Sequence, residues 1–254
     1  MSEVDTTFYD ELAAAYHLLF QDWDSAIERQ RTVLRQILPP PADSGKVLDC
    51  ACGIGTQALG LAQDGYVVDG TDLSSAAIER AVEEAAARKL LIPFRTDDMR
   101  ELRTCSLGDY GVVLALDNAL PHLDSEAEII LALTAMRDRL RPGGKLLISL
   151  RDYDEIMADR TSITSPAFYR DGTCRRIVHQ VWDWRDARRY TVHLFITREL
   201  VDGNWNSMHF QGHYRAVSPR EVADYAEQIG FQNVQILNPE ATGYYQPIVS
   251  AVRI

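Results

Sequence analysis

The sequence predicts an α/β protein: a doubly wound, mostly parallel seven-stranded sheet, with helices at the N-terminus and an inserted antiparallel β meander. Three observations carry this. Short apolar runs alternate with helical patterns from residue 46 to residue 150. The rhythm then breaks into three β-rich runs joined by short turns, and it resumes as α/β after Ser218. At 254 residues, 46% apolar and 25% charged, the composition is that of a globular unit. One domain is expected over 1–254, with 1–40 as a helical cap and 160–216 as an inserted cover.

Phe8, Leu12, Ala15, Tyr16, Leu19 and Phe20 recur at helical spacing, as do apolar positions over 27–38, where Pro39-Pro40-Pro41 stops the pattern. Residues 46–50 form an apolar run before glycines, and 56–63 read as a helix ending near Gly65. Strands follow at 66–72, 91–96, 111–116 and 145–150. Between them lie a helix at 74–89, capped by Ser74, and one at 125–140, ended by Arg141-Pro142-Gly143-Gly144. The meander comprises 174–184, 190–201 and 205–214, turning at Arg185-Asp186-Ala187 and Asp202-Gly203. Ser218-Pro219 opens the last helix, with Pro at its first position, and strands near 232–237 and 247–252 complete the sheet.

A formal net charge of -11 makes the average surface repel phosphate backbones and anionic lipid, so neither nucleic acid nor membrane is expected as a partner. The arginines between Arg185 and Arg198 alternate with Asp183, Asp186 and Glu199 and read as a solvated sheet face. Cys50, Cys52, Cys105 and Cys174 form no CxxC pair and have no companion His cluster, so no metal site is expected. The first sixteen residues lack a basic start followed by an apolar run, and no apolar run reaches the roughly 18 to 20 residues of a membrane span. A cytoplasmic location is expected. Homo-oligomerisation stays open.

After the first strand comes Asp49-Cys50-Ala51-Cys52-Gly53-Ile54-Gly55-Thr56-Gln57-Ala58. Gly53, Gly55 and Ala58 fit the dinucleotide pattern G-x-G-x-x-G/A, with Asp72 at a distance suited to a ribose. Charge separates two ligands that this geometry admits. The first four strands end in or beside Asp49, Asp72, Asp98 and Asp117, at the edge of a parallel sheet where ligands bind. A dinucleotide would bring an anionic pyrophosphate to Asp49. S-adenosylmethionine (SAM) brings a sulfonium and an ammonium and no phosphate, so a ring of carboxylates favours SAM.

The segments VLDCACGIGT, DGTDLS, TDDMREL, LALDNALPHL and LRPGGKLLISLRDYD resemble the successive motifs of class I SAM-dependent methyltransferases, closely over 46–154. Within that superfamily the chain is most similar to the glycine and glycine/sarcosine N-methyltransferases. It shares with them Ala51 in place of a glycine, the L-x-N-x-x-x-H-L block from Leu116 to Leu123, and Arg151, Tyr153 and Asp154 of an R-x-Y-D run. The resemblance implies a Rossmann-like methyltransferase fold with SAM as cofactor. Asp49 would orient the loop, Gly53 and Gly55 would let the backbone approach the methionine end, and Ala51 would offer its carbonyl to the ammonium. Asp72 would take both ribose hydroxyls, and Leu73 would pack on the adenine. Asp98 would accept from the adenine amine beside the backbone of Met99. Leu116 and His122 would close the methionine end, and Tyr16 would lid the cofactor. Leu73 and Leu116 read equally as core residues, and His122 equally as a helix-start histidine. Where the glycine-type enzymes place an arginine for the cofactor carboxylate, this chain has Ala26; Arg29, about one turn later, is either its substitute or simply solvated.

Methyl transfer from a sulfonium is an in-line displacement that needs proximity and orientation, with no metal and no covalent nucleophile. Arg151, just past the fifth strand, can fork onto a carboxylate, as the matching arginine does in the glycine-type enzymes; otherwise it pairs with Asp152 or Asp154. Asn118 matches the asparagine that hydrogen-bonds the acceptor, and Tyr153 completes the expected catalytic set. Trp182, Trp184, Trp205, Tyr190 and Tyr214 of the meander, with Tyr244, Tyr245 and Gln246, are core residues one by one and together a candidate apolar lid. The expected function is methylation of a small molecule, a glycine-like amine. An O-methyltransferase and a non-catalytic SAM-binding module are the alternatives. Asp117-Asn118-Ala119-Leu120-Pro121 lacks the D/N-P-P-Y/F run of base N-methyltransferases.

Overall fold

The computed structural model describes residues 7–254; positions 1–6 of the expected cap lie outside the described residues. Along the chain run α1 (Thr7–Leu12), a 3-10 turn (Tyr16–Leu19), α2 (Trp23–Ile37), α3 (Pro41–Ser44), β1 (Lys46–Asp49), α4 (Thr56–Gln63), β2 (Val68–Asp72), α5 (Ser75–Ala87), β3 (Phe94–Thr96) and β4 (Tyr110–Ala115). There follow a 3-10 turn (Leu120–His122), α6 (Glu126–Arg139), β5 (Leu140–Ser149), α7 (Tyr153–Asp159), β6 (Ala167–Asp171), β7 (Cys174–Trp184), β8 (Arg189–Glu199) and β9 (Trp205–Arg215). The chain closes with α8 (Pro219–Gln228), β10 (Phe231–Leu237), α9 (Pro239–Thr242) and β11 (Ile248–Arg253).

Seven strands form the main sheet in the order β10-β11-β5-β4-β1-β2-β3. Neighbours from β5 to β3 pair in parallel, while β11 lies antiparallel to both β5 and β10. The doubly wound fold is therefore as expected. Strand β4 is buried at every position, which is why it reads as an unbroken apolar run. The chain leaves β1 toward β2 on one side and later fills β4 on the other. The order thus reverses between β1 and β4, where a crevice opens at the carboxyl ends of parallel strands.

Strands β6-β7-β8-β9 form a separate antiparallel sheet. Its inner face presents Val178, Leu194, Ile196 and Phe210 to Phe8, Leu12, Ala15 and Leu18 of the N-terminal segment. Ala13, Trp23 and Ile27 pack instead on Ile54, Leu59, Ala77 and Ala85 of the main domain. Serving two surfaces explains a departure from the periodicity. The stretch expected as one helix over residues 8–20 breaks after Leu12, because tertiary packing overrides the helical propensity of Ala13-Ala14-Ala15. Arg176, buried on β7, secures the end of the first 3-10 turn by donating to the carbonyls of Leu18 and Phe20 while forking onto Asp171.

The caps at Ser74 and Ser125 form as read, and Ser218 with Glu221 makes a reciprocal capping box. Helix α7 and strand β6 were not anticipated. Asp152 caps α7 by accepting from Glu155 N–H, a short-range signal that sits where the longer rhythm stops.

Gly111, near the start of β4, lies against the loop that leads into β1. A Cβ there would sit 1.7 Å from the Ser44 carbonyl oxygen. Gly111→Ala should therefore destabilise by about 3 kcal/mol, lowering Tm by roughly 6–12 °C for a chain of this size. A melting curve within about 2 °C of the parent would show that the Ser44 loop moves aside freely.

Candidate active site

The carboxyl ends of β1, β2, β3 and β4 border a cleft that is partly open to solvent. Ala51 and Gly53 wall it from the loop after β1, Asp72 and Leu73 from the end of β2, Asp98 and Met99 from beyond β3, and Leu116 and His122 from beyond β4. Tyr16 reaches it from the N-terminal 3-10 turn. These nine are the sequence-predicted residues that converge there. Arg29, Asp49 and Gly55 are not on the wall.

Gly53 has φ +52, and a Cβ added to it would meet nothing within 4 Å, so its backbone faces open space. Its N–H donates to Asp72 Oδ2 at 2.8 Å, while Ser74 N–H donates to Asp72 Oδ1 at 2.9 Å. Asp72 is fixed by these two bonds, and its remaining lone pairs are available to the cleft. Burial raises its pKa above the ordinary carboxylate range, against the pull of those amides.

Asp98 modifies the charge argument. Arg100 forks onto its carboxylate at 2.6–3.1 Å and also reaches Glu128 at 2.7 Å, so this charge is already partly offset inside the protein. The other three strand-end carboxylates, Asp49, Asp72 and Asp117, have no ion pair among the described residues. Asp117 is held by Gln57 Nε2 at 2.7 Å and by the hydroxyls of Tyr244 and Tyr245 at 2.5 and 2.7 Å, with no cation in ion-pair reach among the described residues. It sits at φ +55, followed by Asn118 at φ +69, a strained pair pinned by Ser149 Oγ and the Ser149 carbonyl.

Asp49 lies beneath the loop, 1% exposed, and neither carboxylate oxygen has a hydrogen-bond partner. Burial, then the charges of Asp117 and Asp72, push its pKa up to about 8, with long contacts to the backbone of Ala51 and Ala58 pulling the other way. His122 moves oppositely. Burial and the positive charge of Arg151 lower its pKa to about 3, so the ring is neutral.

Arg151 is half-buried, its guanidinium 4.8 Å from the Trp182 ring and 5.7 Å from the Tyr214 ring. Its hydrogen bonds to Tyr190 Oη and Gln180 Oε1 are long, at 3.4 and 3.3 Å. No carboxylate among the described residues pairs with it, so the alternative ion pair with Asp152 or Asp154 is not made. Asn118 and Tyr153 are buried behind it. Asn118 Oδ1 accepts from Arg151 N–H at 3.2 Å, its Nδ2 donates to Tyr153 Oη at 3.0 Å, and Tyr153 meets Tyr190 Oη at 2.7 Å. Each end of the Asn118 amide thus carries one hydrogen bond, with a second N–H and a second oxygen lone pair left over.

Arg29 is exposed on α2, away from the face buried by Trp23, Ala26, Ile27, Gln30 and Leu34, so it is not brought to the cleft. Residue-by-residue reading missed Tyr9, Thr56 and Gln57 on the cleft wall. Thr56 and Gln57 open α4 right after the glycine loop, and that position was the available signal.

Residues 47–144 match the family model described as a methyltransferase domain. The chain is 28% identical over 151 residues to a glycine/sarcosine N-methyltransferase of Halorhodospira halochloris, covering 59% of this chain and 56% of the relative. It is 33% identical over 124 residues to a glycine N-methyltransferase of Rattus norvegicus, covering 44% and 42%. It thus spans about half the length of these relatives. The SAM-bound structure of CalS10, an amino pentose methyltransferase from Micromonospora echinaspora, superposes with a TM-score of 0.71 at 19% identity over 95% of both chains. Residues 47–144 thus resemble a methyltransferase domain, and the fold is shared with this methyltransferase structure.

The cleft fits SAM on its own chemistry: an orphaned buried carboxylate, two further strand-end anions and an open glycine backbone. Asp49 gives a pH signature. Its pKa of about 8 in the folded protein lies above the value of about 3.9 in an unfolded chain. Its contribution to stability is therefore complete below about pH 4 and is lost as pH rises toward 8. A dicationic ligand reverses the preference, so SAM affinity should rise with pH up to about 8. In Asp49→Asn, the gain in Tm over the parent should grow from about pH 5 to about pH 8, and the pH slope of SAM affinity should vanish. SAM should also be weakened more than an analogue lacking both cationic groups. Calorimetric titration showing equal weakening of the two ligands would leave Asp49 as a loop-shaping residue only.

Proposed function

We propose that this chain transfers a methyl group from SAM to a small glycine-like amine bearing a carboxylate. The observation that carries the acceptor class is Arg151, a half-buried guanidinium between aromatic rings with no carboxylate partner among the described residues. A cation in that setting is stabilised by an anionic ligand, and its planar fork matches a carboxylate. The Tyr214 ring meets both Arg151 and His122, and His122 lines the cofactor cleft, so the guanidinium stands near it. The amine is supported by the glycine-type relatives and by the amino sugar enzyme of the same fold.

When bound, SAM supplies a methyl group already activated on a sulfonium. Asp72 and the backbone of Gly53 would hold its ribose and methionine ends, and Leu73 and Met99 would flank its adenine. Asp49 and Asp117 would face its two positive charges. Asn118 and Tyr153 would act at one remove, fixing Arg151 so that an acceptor carboxylate is held in one orientation. The aromatic rings around Arg151 would exclude water from that contact.

The reading is tested by incubating the protein with SAM and a panel of amino acids, simple amines, hydroxy acids and carboxylic acids, following S-adenosylhomocysteine. Amino acids should turn over, with rates rising with pH as the amine loses its proton. Arg151→Lys keeps the charge and loses the fork; it should raise the acceptor KM at least tenfold, the scale of one charge-assisted hydrogen bond, and leave SAM affinity near normal. An acceptor without a carboxylate that outperforms every amino acid would overturn the acceptor class. Bound SAM with no product from any acceptor would leave a binding module.

A further inference from the structure

No lysine or arginine stands among the described residues that wall the cofactor cleft. The amino-acid end of SAM carries a carboxylate as well as an ammonium, so in this cleft the carboxylate must find its donors among neutral groups. Two adjacent polar side chains in the wall, Thr56 and Gln57, open α4 directly after the glycine loop. They are 3% and 4% exposed, and each has one hydrogen-bonding function that the protein leaves unused.

Their partners identify the unused functions. The Trp23 indole N–H is a donor only, and it reaches Thr56 Oγ1 at 3.1 Å. Thr56 therefore accepts in that contact, and its own hydroxyl hydrogen meets no acceptor among the described residues. Gln57 faces Asp117 Oδ2 at 2.7 Å and the buried Gln30 Oε1 at 2.6 Å. A carboxylate accepts only, so the end of the Gln57 amide turned to Asp117 is Nε2. Both Nε2 hydrogens are then taken, one by Asp117 and one by Gln30. That fixes the plane of the amide, and Gln57 Oε1 is left without a donor among the described residues. Consecutive positions of one helix turn thus offer a free O–H and a free C=O at the same cleft.

We propose that Thr56 and Gln57 read the amino-acid end of SAM: the Thr56 hydroxyl donates to the cofactor carboxylate, and Gln57 Oε1 accepts from the ammonium beside Asp117. This rests on SAM as the cofactor in the reading above and not on the choice of acceptor. A ligand lacking either group would leave one of these buried polar atoms without a partner, which is the costly case. Arg29 faces away on α2, so Thr56 takes the part an arginine was expected to play. Helix α2 still contributes, because Trp23 and Gln30 hold the two side chains in place. Both residues act on cofactor affinity; neither is assigned to the chemical step.

Calorimetric titration with three ligands tests this. S-adenosylhomocysteine keeps both groups and drops the sulfonium, and its two analogues lack the carboxylate or the amine. Thr56→Val keeps the shape and removes the hydroxyl. It should weaken S-adenosylhomocysteine at least about tenfold, the scale of one hydrogen bond to a charged group, and leave the decarboxylated analogue within about twofold of the parent. Thr56→Ser restores the hydroxyl and should bind like the parent. Gln57→Met should weaken S-adenosylhomocysteine by a similar factor and leave the deaminated analogue within about twofold. Equal weakening of the full and the truncated ligand in either variant would overturn the inference, because a merely structural residue affects all three ligands alike. Unchanged affinity for S-adenosylhomocysteine would overturn it as well. Action of Gln57 through Asp117 alone is separated in the Asp117→Asn background. Adding Gln57→Met there should still cost affinity for the amine-bearing ligand; no further loss would overturn the direct contact. Failure of the cofactor reading is seen separately, as parent protein that binds neither SAM nor any of the three ligands.

Discussion

Strand β1, inside the sheet, ends in a carboxylate that no cation among the described residues neutralises. Nearby acids show how unusual this is. Asp69 accepts from the Tyr110 hydroxyl and lies near Lys46, Asp97 takes both the hydroxyl and the backbone N–H of Thr104, and Asp98 is forked by Arg100. Asp49, buried to the same degree as a core leucine, has none of these. A lone buried anion is costly and is relieved by a proton or by a cation. Its neighbours Asp72 and Asp117 add repulsion, so the chain concentrates negative potential at one strand edge and leaves the compensating charge to come from outside. The left-handed turn at Asp117 and Asn118, and the donors gathered on Asp117, hold that arrangement against its own strain.

The side proposed for the acceptor carries the opposite sign. Arg151 lies among aromatic rings, and the second sheet supplies most of them. Its inner face thus serves two purposes, aliphatic where it meets the N-terminal helix and aromatic where it meets Arg151. A deficit of positive charge in one cleft and a guanidinium without a carboxylate partner among the described residues set two opposite potentials side by side.

Much of this was legible because the relevant signals are local. Strand β4 reads as apolar because both faces are covered, and the serine caps read from spacing alone. The turn after β1, the helix that follows it and Asp72 at the end of β2 were legible together because they fall within one β-α-β unit. What escaped depends on long-range partners. Nothing near Asp98 in the sequence announces that Arg100 will turn back onto it and onto Glu128. The Asn118 amide donates to Tyr153, thirty-five residues later. The break after Leu12 reflects two surfaces that belong to distant parts of the chain. Arg29 was placed by alignment of a helix whose buried face, once seen, points elsewhere.

The N-terminal segment packs between the two sheets and supplies Tyr9 and Tyr16 to the cofactor cleft. Its partners include Arg176, which holds Leu18 across 158 positions, and His122, which meets Tyr9 across 113. On a ribosome this segment emerges long before its docking surface on β9. At about 5–20 residues per second, it must wait on the order of 10–40 s as an exposed amphipathic tether before that surface exists. The order of synthesis thus makes closure of the cleft a late event in maturation, and in that interval a half-built sheet carries its ligand-facing edge uncovered.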